Sequence, residues 1–424
     1  MDNQTNLIKI AWTTNAMLLG AANHLNKQQA QTGTWLDTLF NQIRKEFAGK
    51  AKFYAIHGTE AVKQVVRYEE DDVVYILYPR KKYSFLSDFK HEIDSLEVLM
   101  REIEPDLVHI HGTEDFYGLI AERMPELNIV ASLQGIREQI DRMYFAEMSK
   151  WEYIWRNIRK AKINWFHLLV YRSKMVKVEQ RILRKINFFI GRTDFDRAHS
   201  LGRNPKATYF GDCHDILRPD FLTHKWDVKN AEPFTIHTTL SANPFKGIFL
   251  MLETVKILAL QFPQVKLRIA GGMVGMIGKH AQEYVKKNGL TKHVEFLGRC
   301  NGEQLVSSLM RSRVATVASY IENESLSLQE AQAVGVPVIS TYAGGMPSMI
   351  QQGETGFQVP TGDPYYMAAE IAKLFQDDEL SSYVGDRAWE LIRTRNDADV
   401  IGGRYREIYT KLLNRDKEVV LQSS

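Results

Sequence analysis

The chain has 424 residues, 44% apolar and 25% charged, with a formal net charge of +3 at pH 7. That length exceeds one ordinary hydrophobic core and predicts two domains, while the near-balanced charge excludes a protein that binds polyanions over its whole surface. Two cysteines, Cys213 and Cys300, exclude a disulfide framework and fit a reducing compartment.

The N-terminus, "MDNQTNLIKIAWTT", lacks the basic and apolar regions of a signal peptide. No run approaches the length of about 18 consecutive apolar residues that a membrane span needs. The expected address is the cytoplasm, with the inner membrane surface open to it.

In chain order, "LIKIAW" (7–12), "AKFYAI" (51–56), "VVYILY" (73–78), "DLVHIH" (106–111) and "NIVASL" (128–133) read as strands, with helical patterns between them. Alternation of that kind predicts a parallel sheet covered on both faces. The segment 150–185 breaks the alternation, with eleven Lys or Arg, two Glu and three Trp. One reading is a pair of helices with solvated basic faces. The other is a surface that sets aromatics at headgroup depth and cations against anionic lipid. Nucleic acid is not expected, because no recognition motif accompanies the charge.

A proline in "LRPDF" (217–221) marks the domain boundary, giving domains over 1–216 and 217–395. The strands of the second half are "FTIHTT" (234–239), "VKLRIAG" (265–271), "HVEFLG" (293–298), "VATVAS" (314–319) and "VPVIST" (336–341). The fold class is therefore α/β, with two Rossmann-like doubly wound domains facing a cleft. The stretch 396–424 reads as a last amphipathic helix returning to the first domain.

Several chemistries lack their motif. No G-x-G-x-x-G follows a first strand, and there is no Walker loop, nucleophile elbow or metal-type cluster. Three features remain in the second half. "NPFKG" (243–247) sets Lys246 just before a helix, where an amine and free backbone N–H groups would both favour a diphosphate. "YAGGMPSMI" (342–350) offers Gly344 and Gly345, which suit either a close backbone approach to a ligand or a tight turn. Glu322 and Glu330 are carboxylates able to accept a sugar diol. Ser327 and Glu330 also fit a capping box, which would make Glu330 a helix-start residue only.

Glu322, seven residues, Glu330 and then "AQAVGVPVISTYAGGMPSMIQQGETGFQVPTGDP" resemble the signature block of the family-4 retaining glycosyltransferases of GT-B fold. "FLG" (296–298), "NPFKG" and "DLVHIHG" (106–112) fall where that family has similar segments. The resemblance implies a metal-free hexosyl transfer from a nucleotide sugar, UDP by family habit, with no other cofactor. It assigns Glu330 to the ribose, Glu322 to the transferred sugar and Lys246 to the diphosphate. Gly344, Gly345 and Met346 would offer backbone N–H groups, and Arg299 and Cys300 would read the base. Gly33 and Thr34 would approach the reacting centre, and His109 and His111 would lie on the acceptor side.

Two departures stand out. Leu240 and Ser241 occupy the places where many members carry a second phosphate cation. Gln134, in "SLQG", replaces a histidine near the sugar. "FFIGRTDFDRA" (188–198) and "ILRPDF" (216–221) resemble the branch that builds capsular, exopolysaccharide or lipopolysaccharide chains on lipid carriers, which agrees with membrane contact through 150–185. The alternatives are a weakly catalytic or non-catalytic nucleotide-sugar-binding partner in an assembly complex, or an epimerase or phosphorylase on the same fold.

Overall fold

The computed structural model describes residues 7–25, 34–81, 88–158 and 164–422. The chain divides into two compact units. One comprises Met1–Glu138, Asn164–Ile216 and Ala398–Ser424; the other comprises Gln139–Ile163 and Leu217–Asp397.

In the first unit the strands are β1 (Ile8–Thr14), β2 (Ala51–Thr59), β3 (Val66–Glu70), β4 (Val73–Pro79), β5 (Leu107–His111), β6 (Ile129–Ser132), β7 (Phe188–Ile190) and β8 (Thr208–Phe210). Among the described residues they form one sheet in the order β3-β4-β2-β1-β5-β6-β7-β8. Every pairing is parallel except that of β3 with β4. The antiparallel edge corrects the all-parallel expectation. It arises because the short link between β3 and β4 turns the chain straight back, with Asp71 in the left-handed region.

In the second unit β9 (Thr235–Thr239), β10 (Lys266–Ala270), β11 (Val294–Gly298), β12 (Val314–Val317), β13 (Val338–Thr341) and β14 (Phe357–Val359) run parallel in the order β11-β10-β9-β12-β13-β14. Strands such as β5 and β12 are buried along their whole length. That is why they do not alternate with exposed polar residues, even where His109, His111 or Thr316 interrupts the apolar run. The helix Ile248–Gln261 buries Leu250, Met251, Val255 and Leu258 in this core. Each such aliphatic contributes roughly 1.5–3 kcal/mol relative to exposure.

Both sheets reverse their winding at one gap, between β1 and β5 in the first and between β9 and β12 in the second. Ligands of open α/β sheets bind beyond the carboxyl ends of the strands at such gaps.

The C-terminal helix Ala398–Gln422 belongs to the first unit, where Ile401, Tyr405, Ile408, Tyr409 and Leu412 join the core. The segment 150–185 forms two helices, Lys150–Ile158 and Asn164–Lys185. Here the expected boundaries need correction, because Gln139–Ile163 groups with the second unit and not the first. Met148 is buried in that unit's core, Tyr153 packs against it, and the Glu147 carboxylate accepts a hydrogen bond from the Leu250 amide at 2.7 Å.

Candidate functional site

At the β9/β12 gap, β9 ends in a loop that carries Lys246 to the start of helix Ile248–Gln261. Gly247 turns the chain there with φ +77°, and a Cβ on it would lie 2.0 Å from the Ala318 carbonyl oxygen. Only glycine fits that contact. The Phe245 carbonyl accepts from the Tyr320 amide at 2.8 Å, which joins this loop to the one after β12.

The two loops bring Lys246 and Glu322 together, with Nζ to Oε1 at 2.6 Å. Ser319 Oγ donates to the same oxygen at 2.7 Å. Both charged side chains keep partial exposure, 24% for Lys246 and 15% for Glu322.

The loop after β13 closes on the same place. Gly344 has φ +56°, and a Cβ there would sit 1.9 Å from the Glu322 carbonyl oxygen. This glycine therefore serves a backbone-to-backbone approach. The Gly345 amide donates to Glu322 O at 3.0 Å and the Met346 amide to Ala343 O at 3.1 Å. Two of the three amides that the resemblance reserves for a ligand are thus engaged within the protein. Met346 itself is buried.

Helix Leu326–Val334 is capped by Ser325, whose hydroxyl accepts from the Leu328 amide. This corrects the expected cap at Ser327 and places Glu330 beyond the first turn. Glu330 is 6% exposed, and its Oε1 accepts from Arg218 Nη2 at 2.7 Å. Burial pushes its carboxyl above the usual glutamate range, while the Arg218 guanidinium pulls it back down. The sequence reading singled out the segment that holds Arg218 but not the residue.

Other expected positions are less telling. Arg299 is exposed and Cys300 half-buried in the loop after β11. Ser241 is exposed, and its Oγ accepts from Asn243 Nδ2 at 2.9 Å. Leu240 is buried. The helix amides behind Lys246, expected to be open to an anion, hold Glu147 instead. Burial raises that carboxyl to about 8 against the pull of the Leu250, Phe249 and Ile248 amides.

The β1/β5 gap of the first unit is built differently. His109 is fully buried, with Nδ1 on Tyr409 Oη at 2.5 Å and Nε2 on Ser132 Oγ at 2.6 Å. Both nitrogens are committed to the core, which removes His109 from the acceptor contacts expected of it. His111 is 2% exposed, packs tilted against Trp12 with ring centroids 3.9 Å apart, and has no hydrogen-bond partner on either nitrogen. Burial holds its pKa well below the ordinary histidine value, so the ring is neutral.

Gln134 Oε1 accepts from both terminal nitrogens of Arg192, at 3.2 and 3.3 Å, and Arg192 pairs with the buried Asp215 at 2.6 Å. Gln134 Nε2 and Glu114 Oε2 are buried without partners. Burial lifts the Glu114 carboxyl to about 7. Glu114, Asn15 and Gln134 crowd the side of Gly112 where a Cβ would point, and Gly112 has φ +92°.

Gly33 lies outside the described residues, and Thr34 opens the helix Thr34–Glu46. A cavity of about 980 Å³ lies at the opposite, amino edge of the first sheet, lined in part by Lys9, Glu46, Asp106 and Arg406, away from all of these groups. Among the described residues no three His, Cys, Asp or Glu converge as a metal site would need.

Residues 224–390 match the family model described as glycosyl transferases group 1. The chain is 34% identical over 154 residues to a D-inositol 3-phosphate glycosyltransferase of Corynebacterium efficiens, which covers 35% of this chain and 36% of that protein. It is 34% identical over 135 residues to the N-acetyl-alpha-D-glucosaminyl L-malate synthase of Bacillus anthracis, covering 32% and 35%. The chain thus spans about a third of the length of these curated relatives.

Among solved structures, sucrose-phosphate synthase of Thermosynechococcus elongatus superposes with a TM-score of 0.69 at 16% identity, over 96% of this chain and 100% of the other. HepE of Anabaena, solved with UDP and glucose, gives 0.64 at 15%, over 95% and 99%. The fold is α/β with two parallel-sheet Rossmann-like domains of the GT-B kind.

Proposed function

We propose that this chain is a retaining glycosyltransferase that moves a sugar from a nucleotide sugar, with UDP as the nucleotide, to a lipid-linked glycan. The observation that carries the reading is the pairing of Lys246 with Glu322 at the β9/β12 gap, with Glu330 held one helix further on. A diphosphate arriving at Lys246 replaces one anionic partner with another, so the cation stays paired while Glu322 is released toward the sugar hydroxyls. As the glycosidic bond breaks, charge grows on the diphosphate, and a fixed ammonium there lowers the barrier. Glu330 takes the ribose hydroxyls.

The match to group 1 glycosyl transferases over 224–390 supports the donor half of this reading. The choice of UDP leans on HepE, a structural neighbour solved with that nucleotide. The lipid-linked acceptor is supported by helix Lys150–Ile158, where Trp151 and Trp155, one turn apart, are 73% and 61% exposed. Exposed tryptophans beside lysine suit a headgroup layer.

The test is calorimetric titration of UDP, GDP and ADP into the wild type and Glu330→Ala. UDP is expected to bind, and the variant to lose about 1–3 kcal/mol, the range for a charged hydrogen-bond partner. Equal affinity in a folded Glu330→Ala protein removes the ribose role.

One observation favours a second reading, a nucleotide-sugar-binding partner without turnover: Glu147 occupies the helix amides behind Lys246. Nucleotide binding without transfer to any lipid-linked acceptor would select it.

A further inference from the structure

Arg218 reaches Glu330 through one nitrogen only. Nη2 lies 2.7 Å from Oε1, while Nε is buried with no partner. Among the described residues Glu330 Oε2 has no protein partner. A carboxylate has about four acceptor positions, so a single prong fixes the group and leaves an oxygen for a diol.

The arginine is itself held from several sides. Pro219 follows it, which keeps Arg218 extended at φ −65° and ψ 140°. Its guanidinium lies 4.8 Å over the ring of the fully buried Phe221. Gly302, at the start of helix Gly302–Met310, leaves room for it: a Cβ there would come within 2.2 Å of Asp220 Oδ2 and 3.4 Å of Arg218 Nη1. Arg218 therefore stands between Glu330 and the helix that follows the loop of Arg299 and Cys300.

We propose that Arg218 is a positioning residue for the nucleoside: gripping Oε1 of Glu330, it turns Oε2 to the 2′- and 3′-hydroxyls of the donor ribose. The inference rests on the reading of Glu330 given under Proposed function. It supplies the cation that the sequence lacks at Leu240 and Ser241, but assigns it to the ribose acid and not to the phosphates. Burial alone would favour a protonated Glu330, a poorer acceptor, and the Arg218 charge opposes that.

The experiment is a binding cycle by calorimetry with UDP and 2′,3′-dideoxy-UDP against wild type, Arg218→Gln, Arg218→Lys and Glu330→Gln. The wild type is expected to prefer UDP by about tenfold or more, the value of hydrogen bonds to a charged group. Arg218→Gln should cut that preference to about twofold and leave the dideoxy affinity unchanged, with Arg218→Lys restoring part of it. A retained preference in Arg218→Gln overturns the proposal, as does equal weakening of both nucleotides, which is what a purely structural role or a phosphate contact gives. If Arg218→Gln fails to fold, a wild-type preference ratio in Arg218→Lys together with a lost one in Glu330→Gln overturns it. If the wild type binds no UDP, the functional reading itself fails, and that outcome is distinct from loss of the Arg218 effect.

Discussion

Around the β9/β12 gap the second unit sets acid on base: Glu322 on Lys246, both partly open to solvent, and the buried Glu330 on the partly exposed Arg218. Around the β1/β5 gap the first unit instead leaves polar groups unpaired: the neutral His111 ring and Gln134 Nε2, and Oε2 of Glu114, whose carboxyl burial lifts to about 7. An ion pair of that unit, Arg192 with Asp215, is almost fully buried behind Gln134.

The two arrangements suit different ligands. An ion pair with some exposure is worth little by itself, so its cation can be handed to a diphosphate at small cost. An unpaired neutral group in the interior costs about 1–3 kcal/mol, and a sugar hydroxyl, being both donor and acceptor, relieves it without adding charge. Each unit, taken by itself, thus favours a different ligand chemistry: anionic groups at the β9/β12 gap and uncharged hydroxyls at the β1/β5 gap.

The largest effect expected from that contrast is at Lys246. Lys246→Ala should lower kcat for transfer by about 10²–10³, the range for removing one preorganised electrostatic partner of a developing anion. A rise in KM with kcat unchanged would mean that the lysine binds ground and transition states alike, and the charged edge would then be a binding device only.

Glu147 sharpens the comparison, because it is a buried acid on the charged side. Burial raises its carboxyl to about 8 in the folded protein, above the ordinary glutamate value of 4.5. Between those values the folded protein keeps a proton that the unfolded chain has released. Stability is therefore greatest at the acid end of the window and falls as pH rises toward 8. Glu147→Gln keeps an acceptor for the Leu250 amide and removes the titration. Between pH 5 and 8 the wild type should lose on the order of 2–4 kcal/mol relative to this variant. Glu114 and Glu179, raised to about 7 and about 8, push the same way in both proteins and cancel in the difference. Equal pH slopes in denaturant titrations of the two would show that the three helix amides keep Glu147 ionised.

The ten strands expected from the sequence are all present, because parallel strands packed on both faces make short runs rich in apolar and β-branched residues. Those not anticipated were short or mixed. β7, β8 and β14 have three residues each, and β3 is a half-exposed edge, "VRYEE". The site was legible where local motif and position coincide, as at Lys246 and Glu322. It was illegible where a partner comes from far along the chain. Arg218 and Glu330 are 112 residues apart, and Glu147 meets Leu250 across 103. No periodicity reports such pairs. Nor could spacing tell His109, locked on a tyrosine 300 residues away, from His111, two positions on and unpaired.

That last pair gives the smallest effect. His111→Phe keeps a ring packed against Trp12 but has no nitrogen to satisfy. Losing two unpartnered polar atoms should stabilise the folded protein by about 1 kcal/mol, visible as a higher Tm. If the neutral edge serves an acceptor, the same change should raise the acceptor KM several-fold and leave the affinity for UDP unchanged. Gain in stability with loss of acceptor affinity is the signature of a group kept for binding at a cost to the fold. A lower Tm would mean that the ring nitrogens have partners in solution. A higher Tm with unchanged kinetics would make His111 plain core, and the neutral edge would then rest on Gln134 and Glu114 alone.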